Sequence, residues 1–150
     1  MDRRVVSAMV PNSPPARGED HTEVSASLDA KSVLVIEDQF LIAIDAEQAL
    51  RQAGAADVRL ASSVRDALLT LADFVPHAAV LDFNLGDGTG ADVAKVLTEL
   101  RVPFVFTTGY GESVPIPAPY RSAPIVRKPF SVEELISQLN RAKAAARKIR

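Results

Sequence analysis

The chain has 150 residues, enough for one domain with a buried core, and 47% of them are hydrophobic. Its formal net charge of −2 provides no basic surface for nucleic acid and no general attraction to an anionic membrane. The absence of cysteine excludes disulfides and thiolate metal sites, and no apolar stretch approaches the roughly 20 residues that span a bilayer. We therefore expect a cytoplasmic protein that binds neither nucleic acid nor membrane.

The first thirty residues differ from the rest of the chain in composition. They contain three prolines among scattered serines and charges, and they show no sustained hydrophobic period. The apolar run Val5–Val10 follows two arginines, but Pro11 ends it too early for a signal peptide. This composition predicts a flexible arm over residues 1–30, followed by one folded domain over residues 31–150.

Two strand–helix units open the predicted domain. The apolar run Val33–Ile36 ends in two acids, and a helical pattern with Gly54 as its stop follows. Asp57–Ala61 is the second predicted strand. Ser63 and Asp66 then form a capping box, which predicts that a second helix begins at this point.

The third unit contains the most distinctive stretch of the chain. The apolar run Ala78–Leu81 leads directly into Asp82 and a glycine-rich turn. A short apolar run that ends in turn residues is typical of a strand buried on both faces. A third helical pattern follows the turn and ends at Leu100, and Phe104–Thr108 is the fourth predicted strand.

The last unit departs from the regular alternation. Four prolines lie in the segment Gly111–Pro124, where they remove backbone donors and disfavour helix, so we expect a short or irregular fourth helix. Ile125–Arg127 is the fifth predicted strand, and Ser131 and Glu134 form the capping box of a final helix. The alternation as a whole predicts an α/β fold, a doubly wound five-stranded parallel sheet with helices on both faces.

Charged and hydroxyl side chains follow four of the five predicted strands. The first strand ends at Glu37 and Asp38, the third at Asp82, the fourth at Thr108 and the fifth at Lys128. Parallel strands place these ends at one edge of the sheet. Crowded carboxylates raise each other's pKa, and a bound cation relieves this, so oxygen ligands without Cys or His point to Mg²⁺. The ammonium group of Lys128 is suited to a phosphate, and Thr108 adds a hydroxyl.

Four segments in this order resemble the receiver domain of two-component response regulators. They are Val33–Asp38, Val80–Leu85, Thr107–Gly109 and Lys128–Phe130. The resemblance covers about Lys31–Ala145 and implies the flavodoxin-like fold of the chemotaxis receiver. It also implies that the domain is phosphorylated by a histidine kinase or a histidine phosphotransfer protein and signals through contact with an unidentified downstream protein.

The resemblance further implies roles for individual residues. Asp82 would be the phosphoacceptor. The implied Mg²⁺ ligands are Glu37, Asp38, Asp82 and the backbone carbonyl of Asn84. Thr108 would be the switch hydroxyl, and Lys128 would contact the phosphoryl group.

The chain departs from the commonest receiver pattern near its switch. Receivers often carry an aromatic residue three positions before the lysine, where this chain has Ile125. The stretch Phe106–Tyr110 partly matches a stand-alone receiver subgroup named for a Phe-Ala-Thr-Gly-bulky-Tyr motif. We therefore consider Tyr110 or Tyr120 as the aromatic that moves instead.

Three functions remain open on the sequence. The first is a stand-alone receiver that accepts phosphate without being an enzyme with turnover. The second is an aspartyl-phosphate phosphatase, although such enzymes usually carry an acid two residues after the nucleophile, where this chain has Asn84. The third is a receiver-like domain that binds a partner without accepting phosphate. Purely structural roles also remain open, with Glu37 and Asp38 as helix caps and Lys128 as a solvated side chain.

Overall fold

The computed structural model describes residues 28–109 and 113–149, and for residues 147–149 the backbone alone. Its strands are β1 (Ser32–Ile36), β2 (Asp57–Ala61), β3 (Ala78–Asp82), β4 (Asn84–Leu85), β5 (Gly88–Thr89), β6 (Phe104–Thr108) and β7 (Ile125–Arg127). Its α-helices are α1 (Phe40–Gln52), α2 (Val64–Leu71), α3 (Gly90–Glu99) and α4 (Val132–Ile149). Five of these strands form a parallel sheet in the order β2-β1-β3-β6-β7, which confirms the predicted doubly wound sheet. β4 and β5 form a separate antiparallel hairpin.

Each face of the sheet carries its own hydrophobic cluster. Successive residues of β1 alternate between the two, with Val33 and Val35 in one cluster and Leu34 and Ile36 in the other. The first cluster also contains buried residues of α1 and α4, and the second contains residues of α2 and α3. Every residue of β3 and β6 is buried, because helices cover these central strands on both sides.

The structure contains the capping hydrogen bonds that the sequence predicts at the starts of α2 and α4. The Ser63 hydroxyl accepts a hydrogen bond from the Asp66 amide at 2.9 Å where α2 begins. The Ser131 hydroxyl does the same for the Glu134 amide at 3.0 Å before α4. Gly54 follows the end of α1 with a φ of 104°, a conformation that costs glycine little.

The proline-rich segment has no α-helix among its described residues, as the sequence predicts. It contains one 3₁₀ turn over Ala118–Tyr120, and Val114 and Ile116 pack against the cluster of α2 and α3. Tyr110 lies outside the described residues, as do residues 1–27 of the predicted arm. Leu28, which belongs to the last part of that arm, is 1% exposed and lies in the cluster of α1 and α4. None of the described helices has the length and apolar character needed to cross a membrane.

Helix α3 begins in close contact with the end of β3. The Gly90 amide donates a hydrogen bond to the Phe83 carbonyl at 2.6 Å. A Cβ atom at Gly90 would lie 2.8 Å from the Asp82 carbonyl oxygen and 3.1 Å from the Phe83 Cα atom. A glycine is therefore required at this position by the close approach of two backbones.

Replacing Gly90 with alanine should lower the free energy of unfolding by about 1–3 kcal/mol, because backbone atoms must shift to admit the methyl group. Urea denaturation measures the change. Gly86→Ala is the matched control, since an added Cβ there would meet no atom within 4 Å. We expect the control to change stability by less than about 1 kcal/mol. Equal losses in the two variants would contradict the steric explanation.

Candidate functional site

The structure brings three of the predicted site residues into direct contact at the carboxyl edge of the sheet. The Lys128 Nζ atom lies 3.1 Å from Glu37 Oε1 and 3.3 Å from Asp82 Oδ2. Lys128 follows β7, Glu37 follows β1 and Asp82 ends β3. One ammonium group therefore bridges two carboxylates that come from separate strands.

Three carboxylates share this edge. Glu37, Asp38 and Asp82 each offer an oxygen atom, and these oxygens all lie within 4.8 Å of one another. Glu37 and Asp82 are 5% and 4% exposed, whereas Asp38 is exposed. Oxygen-only donors on one solvent-accessible edge fit Mg²⁺, and Lys128 alone does not balance three carboxylates when all are ionised. The residues present thus fit the metal that the sequence predicts.

The electrostatics of the cluster follow from burial and proximity. Burial raises the pKa of Glu37 to about 7, and its hydrogen bond with Asp82 acts in the same direction. A hydrogen bond of 3.1 Å from the Gln39 amide and the charge of Lys128 oppose this shift. Burial alone would lower the pKa of Lys128, but the charges of Asp82 and Glu37 raise it above its usual value. Lys128 therefore stays charged at neutral pH.

Thr108 and Asn84 flank the contacting residues. Thr107 is the register partner of Asp82, and Thr108 follows it as the last residue of β6, buried at 2% exposure. The Thr108 carbonyl accepts a hydrogen bond of 2.7 Å from the Lys128 amide, which holds the start of the lysine side chain at this edge. Asn84 is exposed, and its backbone amide donates a hydrogen bond to Asp82 Oδ1 at 3.2 Å. Both residues lie where the strand order predicts.

Of the two tyrosines considered for the switch, Tyr120 is among the described residues, and it lies away from the cluster. Ile125 occupies the position three residues before Lys128 and is 44% exposed. Tyr120 packs edge-on against Phe104, with 6.4 Å between ring centroids. Phe104 begins β6 and Thr108 ends it, so Tyr120 lies beside the opposite end of the strand from the predicted switch hydroxyl.

One residue in the loop after β3 receives no role from the sequence. The carboxylate of Asp87 accepts hydrogen bonds from the amides of Val64 and Arg65, at 2.8 and 3.1 Å. These partners lie 23 and 22 residues earlier in the chain, so no local pattern indicates the contact. Its only sequence signal is an acid in the glycine-rich turn after β3.

Comparison with known proteins agrees with this geometry. Residues 33–140 match the family model described as the response regulator receiver domain. SdrG from Sphingomonas melonis Fr1 is 32% identical over 73% of this chain and 96% of its own, with a TM-score of 0.64. The receiver domain of the response regulator PhyR from Erythrobacter litoralis is 27% identical over 77% of this chain and 92% of its own, with a TM-score of 0.63.

A third solved structure supports the fold alone. The response regulator receiver protein from Sinorhizobium medicae WSM419 is 23% identical over 79% of this chain and 98% of its own, with a TM-score of 0.65. A comparison with curated protein sequences gives no match. The family match begins in β1, ends in α4 and includes every residue of the cluster. The chain therefore belongs to the response regulator receiver domain family.

Proposed function

We propose that this protein is a cytoplasmic receiver in which Asp82 accepts a phosphoryl group from a phosphohistidine, with Mg²⁺ bound beside it. The partner would be a histidine kinase or a histidine phosphotransfer protein. The observation that carries the proposal is the contact of Lys128 with both Glu37 and Asp82, at 3.1 and 3.3 Å, next to Asp38. A nucleophilic carboxylate, a candidate metal site and a fixed positive charge thus share one edge of the sheet.

The transfer step needs little covalent chemistry from the protein. An Asp82 carboxylate oxygen forms a bond to phosphorus as the bond from phosphorus to the donor imidazole nitrogen breaks, and the imidazole keeps that electron pair. The Lys128 ammonium can donate hydrogen bonds to the transferring oxygens, where negative charge accumulates. The backbone amide of Asn84 donates a hydrogen bond to Asp82 Oδ1, and Lys128 contacts the other carboxylate oxygen, Oδ2.

Glu37, Asp38, Asp82 and the backbone carbonyl of Asn84 would hold the metal. Bound Mg²⁺ would supply positive charge to the phosphoryl oxygens. Its binding requires the ionised form of Glu37, so it competes with the proton that burial favours there. Metal binding is therefore expected to weaken as the pH falls below about 7.

The proposed output is a change in protein–protein contacts. Phosphorylation replaces the single negative charge of the Asp82 carboxylate with a phosphoryl group that carries about −1.5 to −2 charges, and it adds acceptor oxygens at this edge of the sheet. The hydroxyl of Thr108, at the end of the neighbouring strand, is proposed to donate to one of these oxygens and to move inward with the end of β6. The downstream protein would recognise that altered surface.

A small phosphodonor separates this function from its alternatives. The wild-type protein is incubated with acetyl phosphate, with Mg²⁺ or with EDTA, and its intact mass is measured. A gain of one phosphoryl group that requires Mg²⁺ supports the receiver. Continuous release of phosphate from p-nitrophenyl phosphate would instead indicate a phosphatase. Absence of labelling, from acetyl phosphate and from phosphorylated histidine kinases alike, would indicate a domain that only binds a partner.

A further inference from the structure

The loop between β3 and α3 is tied to a helix that lies elsewhere in the chain. Asp87 occupies its outer turn, between the strands of the β4–β5 hairpin. Its Oδ1 atom accepts from the Val64 amide at 2.8 Å, and its Oδ2 atom accepts from the Arg65 amide at 3.1 Å. These are the first two amides of α2, which have no acceptor within their own helix. One carboxylate thus satisfies two helix amides and anchors the loop.

The other anchors of this loop hold it to β3 and α3. The Gly90 amide donates to the Phe83 carbonyl, and the Thr89 hydroxyl accepts from the Ala91 amide at 3.3 Å. The loop also packs against the start of α2, because a Cβ atom at Gly88 would lie 3.2 Å from the Val64 Cγ2 atom. The hydrogen bonds of Asp87 therefore hold the loop to α2, whereas those of Gly90 and Thr89 hold it to β3 and α3.

We propose that Asp87 is a positioning residue for the metal site. Its two hydrogen bonds to α2 hold the loop in the conformation that places the Asn84 backbone beside Asp82, and they thereby set the affinity for Mg²⁺. The inference rests on the proposed function, which assigns the Asn84 carbonyl to the metal. Hydrogen bonds from the Val64 and Arg65 amides lower the pKa of Asp87, so the carboxylate that accepts them is ionised at neutral pH.

A matched control distinguishes positioning from simple stabilisation of α2. Ser63 also caps this helix, since its hydroxyl accepts from the Asp66 amide at 2.9 Å, but it belongs to the loop after β2. Ser63→Ala removes a cap and leaves the loop after β3 in place. Asp87→Ala removes the cap and the anchor together, and Asp87→Asn keeps one oxygen acceptor in the same place.

The experiment measures Mg²⁺ affinity by calorimetry and the exchange rate of the Asn84 amide by NMR in the metal-free protein. We expect Asp87→Ala to weaken Mg²⁺ binding about tenfold, in the range found when groups that orient metal ligands are removed. Asp87→Asn should recover most of the lost affinity. Ser63→Ala should remain within about twofold of the wild type, although its melting temperature falls. Asn84 amide exchange should accelerate in Asp87→Ala and not in Ser63→Ala.

The outcomes separate this inference from the proposed function. Equal Mg²⁺ affinities for Asp87→Ala and Ser63→Ala would overturn the positioning role, even if the wild-type protein takes up one phosphoryl group. If the wild type binds Mg²⁺ but accepts no phosphate, the proposed function fails, while the tenfold difference would still support the role of Asp87. A wild-type protein that binds no Mg²⁺ overturns both.

Discussion

Replacing Asp82 with asparagine should abolish Mg²⁺-dependent uptake of a phosphoryl group from acetyl phosphate. The amide of asparagine is not a competent nucleophile towards phosphorus, whereas the carboxylate is. We expect the intact mass of Asp82→Asn to stay unchanged under conditions that convert the wild type to its singly phosphorylated form. Labelling of the variant to the wild-type extent would show that another residue is the acceptor.

The Asp82→Asn protein should keep its fold, which makes the loss interpretable. The side chains have nearly the same shape, and the asparagine oxygen can still accept from the Asn84 amide, which lies 3.2 Å from Asp82 Oδ1 in the wild type. Burial raises the pKa of Glu37, and its hydrogen bond with Asp82 raises it further. The substitution removes the Asp82 carboxylate and with it this second contribution. The metal-free variant should therefore melt no lower than the wild type at about pH 8, where Glu37 is ionised in the wild type. Circular dichroism during heating in EDTA measures this.

Replacing Lys128 with methionine should slow phosphoryl uptake about 100-fold, as expected when one charge-stabilising donor is lost. It should also destabilise the metal-free protein, because Glu37 and Asp82 lose the ammonium group that lies between them. Removing one partner of a buried ion pair costs about 3–5 kcal/mol when the remaining charge stays unpaired. The loss is smaller where Glu37 can take up a proton.

The sign of the pH dependence follows from the raised pKa of Glu37. This pKa is about 7 with Lys128 present, and it should rise further without the lysine. Ionising Glu37 then costs more in the folded variant than in the folded wild type. The stability lost through Lys128→Met therefore grows as the pH rises above about 7. Below that pH, Glu37 holds a proton in both proteins and the difference narrows.

Urea denaturation at about pH 6 and about pH 8.5, in EDTA, tests the Lys128→Met prediction. Lys95→Met is the control, since Lys95 is exposed on α3 and its loss should change stability by less than about 0.5 kcal/mol. Addition of Mg²⁺ should restore part of the stability that Lys128→Met loses, because the metal replaces the missing charge. A stability difference that is independent of pH would contradict the proposed coupling between Lys128 and Glu37.

Much of the fold could be predicted from local patterns. The observed bounds of β2, β6 and β7 agree with the prediction, and β1 and β3 are each one residue longer. The proline-rich segment lacks an α-helix among its described residues, as its missing backbone donors predict. Such features depend on neighbouring residues in the chain, so they are visible without the tertiary structure.

The sequence by itself determined which residues end the strands, and therefore that Glu37, Asp82 and Lys128 share one edge of a parallel sheet. Only the tertiary structure decided that Lys128 bridges both carboxylates, that Asp87 binds the start of α2, and that Tyr120 packs on Phe104. The physical reason is that hydrophobic period and capping act over a few residues. Hydrogen-bond partners 22 to 91 residues apart depend on how the packed sheet and helices bring separate segments together.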